Sequence, residues 1–457
     1  MLKVINPATA QVIRELETDN PESVAEKFQR AQLAQEIWAC VPLDDRLKAI
    51  RNFRELIVQR TEELAQILTS EVGKPISQSR SELKGLLGRI DFFLENAARV
   101  LRDETVLSDP AQKLEEKITH EPLGVIGNIS AWNYPYYVGS NVFIPALLAG
   151  NAVLYKPSEF AALTGLAIAD LLHEAGIPDD VFIPLIGRGD VGAELCRQPI
   201  AGIFFTGSYA TGQKIAEAAA KRLMKVQLEL GGKDPTYVRE DADVDAAAES
   251  LADGAFYNCG QSCCSVERIY VHEKVYDAFV EAFFKTVKTF VVGDPLDDKT
   301  YIGPVTRREH LAVLDRQVSD ALKQGAKLLC GGKRAAGPGF YFEPTVFANV
   351  NHSMELMREE TFGPLIGIQK VSSDAEAIQL MNDTEYGLTA GVYSKARERA
   401  TAILAEINSG SVYWNCCDRV SPRLPWSGRG HSGVGTTLST YGIQTFVQPK
   451  AWHLRGV

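Results

Sequence analysis

The stretch that decides the fold runs from Gly124-Val125-Ile126-Gly127-Asn128-Ile129 to residue 230. Short apolar runs alternate here with longer segments in which apolar residues recur with helical spacing. The strand-like runs are Gly124–Ile129, Ala152–Tyr155, Val181–Leu185, Gly202–Phe205 and Val226–Leu230. The helical segments between them include Ala161–Gly176 and Gly207–Leu223. Because strands that alternate with helices pair in parallel and are covered on both faces, this stretch predicts an α/β fold.

The flanking sequence extends the same organisation in both directions. Residues 21–106 have mostly helical spacing, and a second alternating block runs from about residue 243 to residue 414. The segment 105–120 and the strand-like Gln444–Ala451 lie outside both blocks. We expect these two segments to form a small separate sheet, and peripheral strands of this kind often pair with another subunit.

Composition and charge narrow the class of protein. The 457 residues are 45% apolar and 23% charged, and the formal net charge is -10. This charge disfavours nucleic acid and anionic membrane surfaces as partners, and no apolar run approaches the roughly 20 residues that span a bilayer. The N-terminal residues show no signal or transit pattern, so a cytoplasmic location is expected. The eight cysteines match no zinc spacing, which predicts a reduced protein without a bound metal.

A cysteine and a glutamate stand out chemically. Cys263 follows the run Asn258-Cys259-Gly260-Gln261-Ser262, which favours a turn that would expose the thiol. An exposed thiol can attack an electrophilic carbon, although spacing alone suits Cys264 equally, and a buried structural thiol is the common alternative. Glu229 stands in the apolar run Val226–Leu230. Burial there would raise the pKa of its carboxyl group and suit it to act as a general base.

Three further segments follow predicted strands, at the edge where ligands bind in open α/β sheets. They are Trp132-Asn133-Tyr134-Pro135, Lys156-Pro157-Ser158-Glu159 and Phe205-Thr206-Gly207-Ser208. A carboxylate at Glu159 would accept hydrogen bonds from a ribose diol and repel a 2′-phosphate, which favours NAD over NADP. The Asn133 amide would donate to a developing oxyanion. Taken one at a time, these segments are also explained by solvated loops and tight turns.

Two segments match the pattern G-x-G-x-x-G. Gly187–Gly192 follows a predicted strand and opens a helix, but it lacks the acidic residue expected about 20 positions later. It therefore predicts a tight turn beside a nucleotide rather than a standard dinucleotide fingerprint. Gly428–Gly433 follows no predicted strand and does not indicate a dinucleotide site.

In their order along the chain these motifs resemble those of the NAD(P)-dependent aldehyde dehydrogenase superfamily. Further matching motifs are Glu229-Leu230-Gly231-Gly232-Lys233, Glu360-Thr361-Phe362-Gly363-Pro364 and Pro425-Trp426-Ser427-Gly428. The resemblance covers nearly the whole chain and implies a three-domain α/β architecture with a homodimer or homotetramer. The implied parts are a Rossmann-type NAD-binding domain (1–104 and 122–229), an α/β catalytic domain (230–435) and a small β oligomerisation arm (105–121 and 436–457).

The resemblance also implies a reaction and its residues. Cys263 would attack an aldehyde, Asn133 and the Cys263 backbone N–H would hold the oxyanion, and Glu229 would activate the water that hydrolyses a thioester. The residues implied in binding NAD are Ile129, Trp132, Lys156, Ser158, Glu159, Gly189, Phe205, Gly207, Ser208, Leu230, Gly231, Glu360 and Phe362. The residues implied in binding the aldehyde are Tyr134, Tyr137, Val138, Asn141, Tyr257, Cys264, Trp414 and Val420.

Departures from the family pattern bear on the proton route and the substrate. Many relatives carry a Lys at the position of Val142 and a Glu at that of Thr437, so no second proton relay is expected. The aromatic tunnel suits apolar or aromatic aldehydes, and a cationic one through cation–π contact. Asn141 replaces the Arg of many semialdehyde-oxidising relatives, which argues against acidic substrates. Arg419 and Arg423 keep an NADP-preferring semialdehyde dehydrogenase as the alternative, and a non-catalytic binding protein is a second one.

Overall fold

The computed structural model describes residues 1–456, in which eighteen strands and fourteen helices are numbered in chain order. The strands are β1 (Leu2–Asn6), β2 (Gln11–Leu16), β3 (Glu104–Asp109), β4 (Leu114–Pro122), β5 (Val125–Ile129), β6 (Ala152–Lys156), β7 (Phe182–Pro184), β8 (Gly202–Thr206), β9 (Lys225–Glu229), β10 (Pro235–Val238), β11 (Arg268–His272), β12 (Lys327–Cys330), β13 (Thr345–Ala348), β14 (Leu365–Val371), β15 (Thr389–Tyr393), β16 (Ser411–Trp414), β17 (Gly433–Val434) and β18 (Val447–Arg455). The helices are α1 (Pro21–Cys40), α2 (Leu43–Gln59), α3 (Thr61–Val72), α4 (Ile76–Leu101), α5 (Pro135–Leu148), α6 (Ala162–Glu174), α7 (Gly189–Arg197), α8 (Tyr209–Ala220), α9 (Val244–Phe256), α10 (Tyr276–Val287), α11 (His310–Lys323), α12 (Asp374–Asn382), α13 (Arg397–Ala405) and α14 (Ser439–Gln444). Within residues 1–456, none of these helices combines the length and the apolar character needed to cross a membrane.

Strands β5 to β9 form the parallel sheet that the sequence predicts between residues 124 and 230. Together with the short antiparallel strand β17 they lie in the order β17-β9-β8-β5-β6-β7. Every residue of β5 and β6 is buried, because helices pack on the sheet from both sides. Parallel pairing places Thr206 of β8 beside Glu229 of β9 at the carboxyl edge. The predicted α/β fold class is confirmed.

A second sheet of seven strands corresponds to the second predicted block. Its order is β12-β13-β14-β11-β10-β15-β16, and its pairs are parallel except β12 with β13. The sequence did not predict the interior strand β10, because its four residues begin with a proline and lie close behind a pair of glycines. The strands β12 and β13 were not predicted either. The short connection 230–234 between β9 and β10 joins this sheet to the first.

The strands β3, β4 and β18 form a small antiparallel sheet of their own, as predicted from the sequence. Strand β18 pairs with β4 over nine residues, Val447–Arg455 against Leu114–Pro122. In the outer strand β3, Val106 is 62% exposed and Leu107 is 41% exposed. This sheet therefore presents apolar side chains along an edge strand.

The segment 433–444 packs with the NAD-binding part of the chain, which contains the first sheet, rather than with the catalytic domain or the oligomerisation arm to which the sequence analysis assigned it. Strand β17 pairs with β9, and helix α14 lies against α4 and α5. The predicted boundary at residue 435 had placed β17 in the catalytic domain and α14 in the oligomerisation arm. A two-residue strand and a six-residue helix are too short to show a period in sequence, so their packing could not be predicted.

Candidate active site

Two cavities lie near the carboxyl edge of the six-stranded sheet, and Thr206 lines both. The first, called the strand-end cleft, has a volume of about 670 Å³ and is bounded by the ends of β5, β6 and β8 and by α7 and α8. The second, called the thiol cavity, has a volume of about 470 Å³ and contains Cys263. Its walls come from α4, α5 and the loops 257–264 and 418–426.

The strand-end cleft gathers eight of the residues predicted to bind NAD. They are Ile129, Trp132, Lys156, Ser158, Glu159, Gly189, Phe205 and Gly207. The Lys156 ammonium lies 3.8 Å from a Glu159 carboxylate oxygen and donates a hydrogen bond to the Pro157 carbonyl at 3.1 Å. Burial lowers the pKa of Lys156. The Glu159 side chain is 26% exposed, so a molecule in the cleft would contact this carboxylate.

The other five predicted cofactor residues do not line the cleft. They are Ser208, Leu230, Gly231, Glu360 and Phe362. Ser208 Oγ donates to Thr211 Oγ1 at 3.1 Å, within the first turn of α8. The Leu230 side chain packs closely against Gly212 of the same helix. Both residues therefore support α8 from beside the cleft.

Gly231, Glu360 and Phe362 form a separate group next to the cleft. A Cβ atom on Gly231 would lie 2.3 Å from Glu360 Oε1, so only glycine lets the carboxyl group approach this backbone. The same oxygen accepts a hydrogen bond from the Gly232 N–H at 3.1 Å, and burial raises the pKa of Glu360 to about 7. The Phe362 ring meets Trp132 edge to face, with centroids 5.5 Å apart, which connects this group to the cleft.

The loop that carries Cys263 is shaped by three consecutive residues with left-handed backbone. Asn258, Cys259 and Gly260 have φ angles of 52°, 58° and 68°. A Cβ atom on Gly260 would lie 2.2 Å from a carbonyl oxygen, so this position requires glycine. Left-handed backbone costs about 1–2 kcal/mol at a non-glycine residue and persists where other contacts hold it. Here Asn258 Nδ2 donates to the carbonyls of Asn133 and Gln261, both at 3.1 Å.

Cys263 and Cys264, which spacing could not distinguish, have different surroundings. Cys263 is partly exposed in the thiol cavity. Cys264 is 4% exposed, and its Sγ donates to Asp418 Oδ1 at 2.9 Å. The hydrogen bond between the neighbouring thiols, burial and the Asp418 carboxylate together raise the pKa of Cys264 well above its ordinary value. Both cysteines line the thiol cavity, but Cys264 stays a buried thiol bonded to Asp418, so Cys263 is the more accessible thiol of the pair.

Asn133 lies in the wall of the thiol cavity and is buried. Its Nδ2 donates to the Gln261 carbonyl at 3.2 Å, which holds the amide against the loop that carries Cys263. A carboxamide nitrogen has two N–H donors. The second one is left for an acceptor beside the thiol.

Glu229 ends strand β9 and is buried, but it does not line the thiol cavity. Its Oε1 accepts hydrogen bonds from Thr437 Oγ1 at 2.5 Å and from Gln227 Nε2 at 3.0 Å. Burial raises the pKa of Glu229 to about 7, although hydrogen bonds from Thr437, Trp426 and Gln227 oppose the rise. Trp426, which hydrogen-bonds the Glu229 carboxyl group, lines the thiol cavity and so connects Glu229 to it.

Seven of the eight residues predicted for the aldehyde tunnel line the thiol cavity. They are Tyr134, Tyr137, Val138, Asn141, Tyr257, Cys264 and Val420. Trp414, the eighth, does not line this cavity. Its Nε1 donates to the Ser394 carbonyl at 2.9 Å, and the Arg397 guanidinium lies 5.7 Å from its ring centroid. Successive residues of a strand face opposite sides, and the last residue of β16 faces α13 instead of the cavity.

The sequence did not predict most of the charged residues in the thiol cavity. Those that line it are Glu82, Arg89, Asp253, Asp418, Arg419 and Arg423. Only the last two had been considered, and a surface position was the alternative for them. The sequence held one indication for Glu82 and Arg89, which both lie on helix α4. Gly85 and Gly88 stand within that long helix, where glycine is unusual, and they also line the cavity. A Cβ on Gly85 would lie 1.8 Å from the Tyr137 hydroxyl, so α4 and α5 approach closely there.

Comparison with known proteins identifies the chain. Residues 1–452 match the model of the aldehyde dehydrogenase family. The chain belongs to the aldehyde dehydrogenase family. The family reaction is the oxidation of an aldehyde to the corresponding acid, so this aldehyde dehydrogenase is an oxidoreductase that acts on aldehydes.

Its relatives are similar over almost the whole chain. The peroxisomal aminoaldehyde dehydrogenase 2 of Malus domestica is 35% identical over 459 residues, which cover 98% of this chain and 91% of the relative. The crystal structure of an NAD-dependent aldehyde dehydrogenase from Sinorhizobium meliloti is 34% identical, with a TM-score of 0.96 over 99% of this chain and 91% of the other. An NADP-dependent E. coli enzyme of known structure is 32% identical, with a TM-score of 0.96 over 99% and 94%.

The strand-end cleft of this aldehyde dehydrogenase fits a dinucleotide. Among the described residues nothing lies within 4 Å of where a Cβ on Gly189 would be, so the start of α7 leaves open space. Helix α8 begins at the cleft just after Gly207, and helix N-termini attract phosphate. Six basic residues line the cleft against the one acid Glu159, an excess that suits a pyrophosphate. They are Lys156, Arg197, Lys214, Lys221, Arg222 and Arg307, and only Lys156 was predicted from the sequence.

Proposed function

We propose that Cys263, Asn133 and Glu229 carry out the aldehyde oxidation, with NAD as the hydride acceptor. The observation that carries the proposal is the contrast between the two adjacent thiols. Cys263 faces the thiol cavity, whereas the Cys264 thiol is buried and donates to Asp418. An accessible thiol beside a fixed amide donor is the arrangement that covalent attack on a carbonyl requires.

The first step joins Cys263 to the substrate. The thiolate adds to the aldehyde carbon, and the carbonyl electron pair moves to the oxygen. The second Nδ2–H of Asn133 and the Cys263 backbone N–H stabilise this oxyanion. Because Nδ2 already donates to the Gln261 carbonyl, the amide is oriented before the substrate arrives.

The second half of the reaction releases the acid. When bound in the strand-end cleft, NAD supplies the acceptor for the hydride that leaves the substrate carbon. A water molecule then attacks the thioester on Cys263, its proton passes to Glu229, and the thiolate departs. The pKa of Glu229, about 7, leaves a large fraction of this carboxyl group ionised at neutral pH. Glu229 must first turn from Thr437 towards the thiol cavity, past Trp426.

A preference for NAD over NADP is part of the proposal and rests on Glu159. Its carboxylate lies in the strand-end cleft beside Lys156, where it would accept hydrogen bonds from a ribose diol. A 2′-phosphate at the same place would meet a like charge. The basic residues of the cleft make NADP a weaker second cofactor rather than an excluded one.

The test measures NADH formation with neutral, aromatic, amino and acidic aldehydes, in wild type and in two cysteine variants. Cys263→Ala is expected to lower kcat by about 10⁴-fold or more, because the nucleophile is lost, while calorimetry shows unchanged NAD binding. The matched control Cys264→Ala should keep at least about a tenth of the activity. The reverse pattern would make Cys264 the nucleophile. Intact NAD binding with no turnover of any aldehyde would instead favour the binding-protein alternative.

A positively charged aldehyde is a second candidate substrate. The Malus domestica relative is named for aminoaldehydes, and Tyr134, Tyr137 and Tyr257 line the thiol cavity. Aromatic faces attract cations. This candidate predicts faster turnover of an amino aldehyde than of a neutral aldehyde of the same length.

We further infer that the three-stranded sheet joins subunits into a homodimer or homotetramer. The exposed Val106 and Leu107 on the edge strand β3 support this inference. Light scattering should detect a smaller species for Val106→Glu than for wild type, and an unchanged mass would contradict it. A cytoplasmic location stays a prediction, since the name of the Malus domestica relative assigns that protein to peroxisomes.

A further inference from the structure

We propose that the thiol cavity binds an aldehyde with a carboxylate at its other end, and that Arg89 receives this carboxylate. The inference rests on the proposed function and specifies the class of substrate for it. Its basis is a buried guanidinium group in the cavity wall whose protein partners are neutral.

Arg89 lines the cavity from helix α4 and is 6% exposed. Among the described residues its hydrogen-bond partner is Asn141 Oδ1, which lies 2.9 Å from Nη1. A guanidinium group has five N–H donors, so most of them are left for a ligand. Burial lowers the pKa of Arg89, which means that the charge is unfavourable where it stands. Buried cations without an anionic partner commonly serve a function.

The acidic residues of the thiol cavity are engaged with other groups. Glu82 forms a buried ion pair with Lys74. Asp418 accepts from the Cys264 thiol, and Asp253 accepts from a tyrosine hydroxyl at 2.5 Å. Burial also raises the pKa of Asp418, which weakens its negative charge. Glu82 and Glu229 act on the Arg89 charge only through longer-range attraction, so a direct carboxylate partner is left for the substrate to supply.

Two of the three tyrosine rings that would bind a cationic aldehyde already contact cations of the protein. Lys74 Nζ lies 3.7 Å from the ring centroid of Tyr134, and the Arg89 guanidinium carbon lies 3.9 Å from that of Tyr137. The two rings also stack on each other, with centroids 5.9 Å apart and an interplanar angle of 8°. A substrate ammonium group would thus meet two like charges beside ring faces that are in use. A negatively charged group meets attraction at the same place.

Arg419 and Arg423 extend the positive charge along the same cavity. Both line it, and both are exposed. Exposed charges of one sign around a cleft raise the local concentration of an oppositely charged substrate. A carboxylate fits the fork of the buried Arg89 guanidinium group with two parallel hydrogen bonds.

The test compares a short linear ω-oxo carboxylate with its methyl ester, which keeps the chain and removes the charge. Wild type is expected to have a kcat/KM at least about 10-fold higher for the acid. Arg89→Met should lower the ratio of kcat/KM for the acid to that for the ester by about 10- to 100-fold, chiefly through KM for the acid. Because Arg89 also lowers the pKa of Glu229, any effect of the substitution on the general base is common to both substrates and cancels in this ratio. Arg89→Lys keeps the charge without the fork and should recover part of the loss.

Three results would overturn the inference. They are equal wild-type kcat/KM for acid and ester, an unchanged acid preference in Arg89→Met, and a higher kcat/KM for an amino aldehyde than for the oxo acid. All three leave the proposed function intact, because that function fails only if neither ester nor acid nor any other aldehyde is turned over. If Arg89→Met does not fold, the exposed Arg423→Gln decides, with an expected loss of about threefold for the acid alone. An unchanged acid-to-ester ratio in that variant would then count against the inference.

Discussion

The strand-end cleft and the thiol cavity are neighbours, but they are built in different ways. The cleft takes its walls largely from the ends of parallel strands and from the helices that follow them. The thiol cavity takes its walls from two helices and two loops that are far apart in sequence. Parallel pairing alone brings strand ends to one edge, so the residues there share a location before any side chain is considered. Which side chains line the thiol cavity depends instead on how its helices and loops pack against each other.

The two cavities also differ in how their charges are paired. In the strand-end cleft the Lys156 ammonium lies 3.8 Å from the Glu159 carboxylate. In the thiol cavity the buried Arg89 is bonded to the neutral amide of Asn141. This difference indicates that Arg89 is a buried charge of the thiol cavity that is left for a ligand of opposite charge.

Next to the loss of Cys263, the largest expected effect lies at Glu229, beside the junction of the two cavities. Glu229→Gln removes the general base and should lower steady-state kcat by about 10²- to 10⁴-fold. A single burst of NADH per active site should remain, because the attack by Cys263 does not use this base. Stopped-flow absorbance measures both quantities. Glu217→Gln, which changes an exposed glutamate of α8, is the control, and loss of the burst in Glu229→Gln would contradict the assigned role.

The next effect tests the cleft alone. Glu159→Ser removes the carboxylate that would repel a 2′-phosphate, so the ratio of kcat/KM for NADP to that for NAD should rise by about 10-fold or more. Steady-state kinetics with both cofactors measures this ratio. Glu217→Ser, on the exposed side of α8, should leave it unchanged. An equal ratio in wild type and Glu159→Ser would mean that the basic residues of the cleft govern cofactor choice.

A smaller effect concerns the pH dependence. Burial raises the pKa of Glu229 to about 7, and the base works as a carboxylate, so kcat should fall as the pH drops below about 7. The Thr437 hydroxyl favours the charged form through its hydrogen bond to Oε1. Thr437→Val should therefore move this acid limb upward by about one pH unit, while Thr437→Ser should not. If the acid limb of the pH profile is unchanged in Thr437→Val, the hydrogen bond between Thr437 and Glu229 is already broken when Glu229 acts as the base.

The smallest expected effect tests whether a residue outside the thiol cavity influences substrate binding. Trp414 lies outside it, so Trp414→Ala should change KM for an aldehyde by less than about twofold. Val420→Ala removes a side chain from the cavity wall and should raise KM about threefold. Initial-rate kinetics on one apolar aldehyde compares the two variants. Equal rises in KM would return Trp414 to the substrate tunnel.

Local sequence was a good guide where a residue's role depends on its own segment. The run Gly202–Phe205 predicted β8, which spans Gly202–Thr206, because a buried parallel strand must be apolar throughout. The same reasoning located Lys156 and Glu159 at a strand end. The resemblance to the family, rather than this reasoning, placed Trp414 in the aldehyde tunnel, whereas its Nε1 donates to the Ser394 carbonyl.

Contacts between distant segments were beyond such reasoning. Thr437 holds Glu229 through a hydrogen bond that spans 208 positions, and no local pattern at either residue predicts the pair. Arg89 stands on an otherwise ordinary amphipathic helix, where a solvated arginine would be expected. Only Gly85, one turn earlier on the same helix, indicated that another element comes close.

The amino-acid sequence by itself determined the family, the parallel α/β sheets and the set of reactive residues, because each depends on patterns within short segments. Only the tertiary structure decided that Cys263 faces the cavity while Cys264 is buried on Asp418. It alone decided that Arg89 reaches the same cavity without a carboxylate partner. The physical reason is that burial and charge pairing are set by packing between segments far apart in the chain. The local sequence of one segment does not indicate which other segment will pack against it.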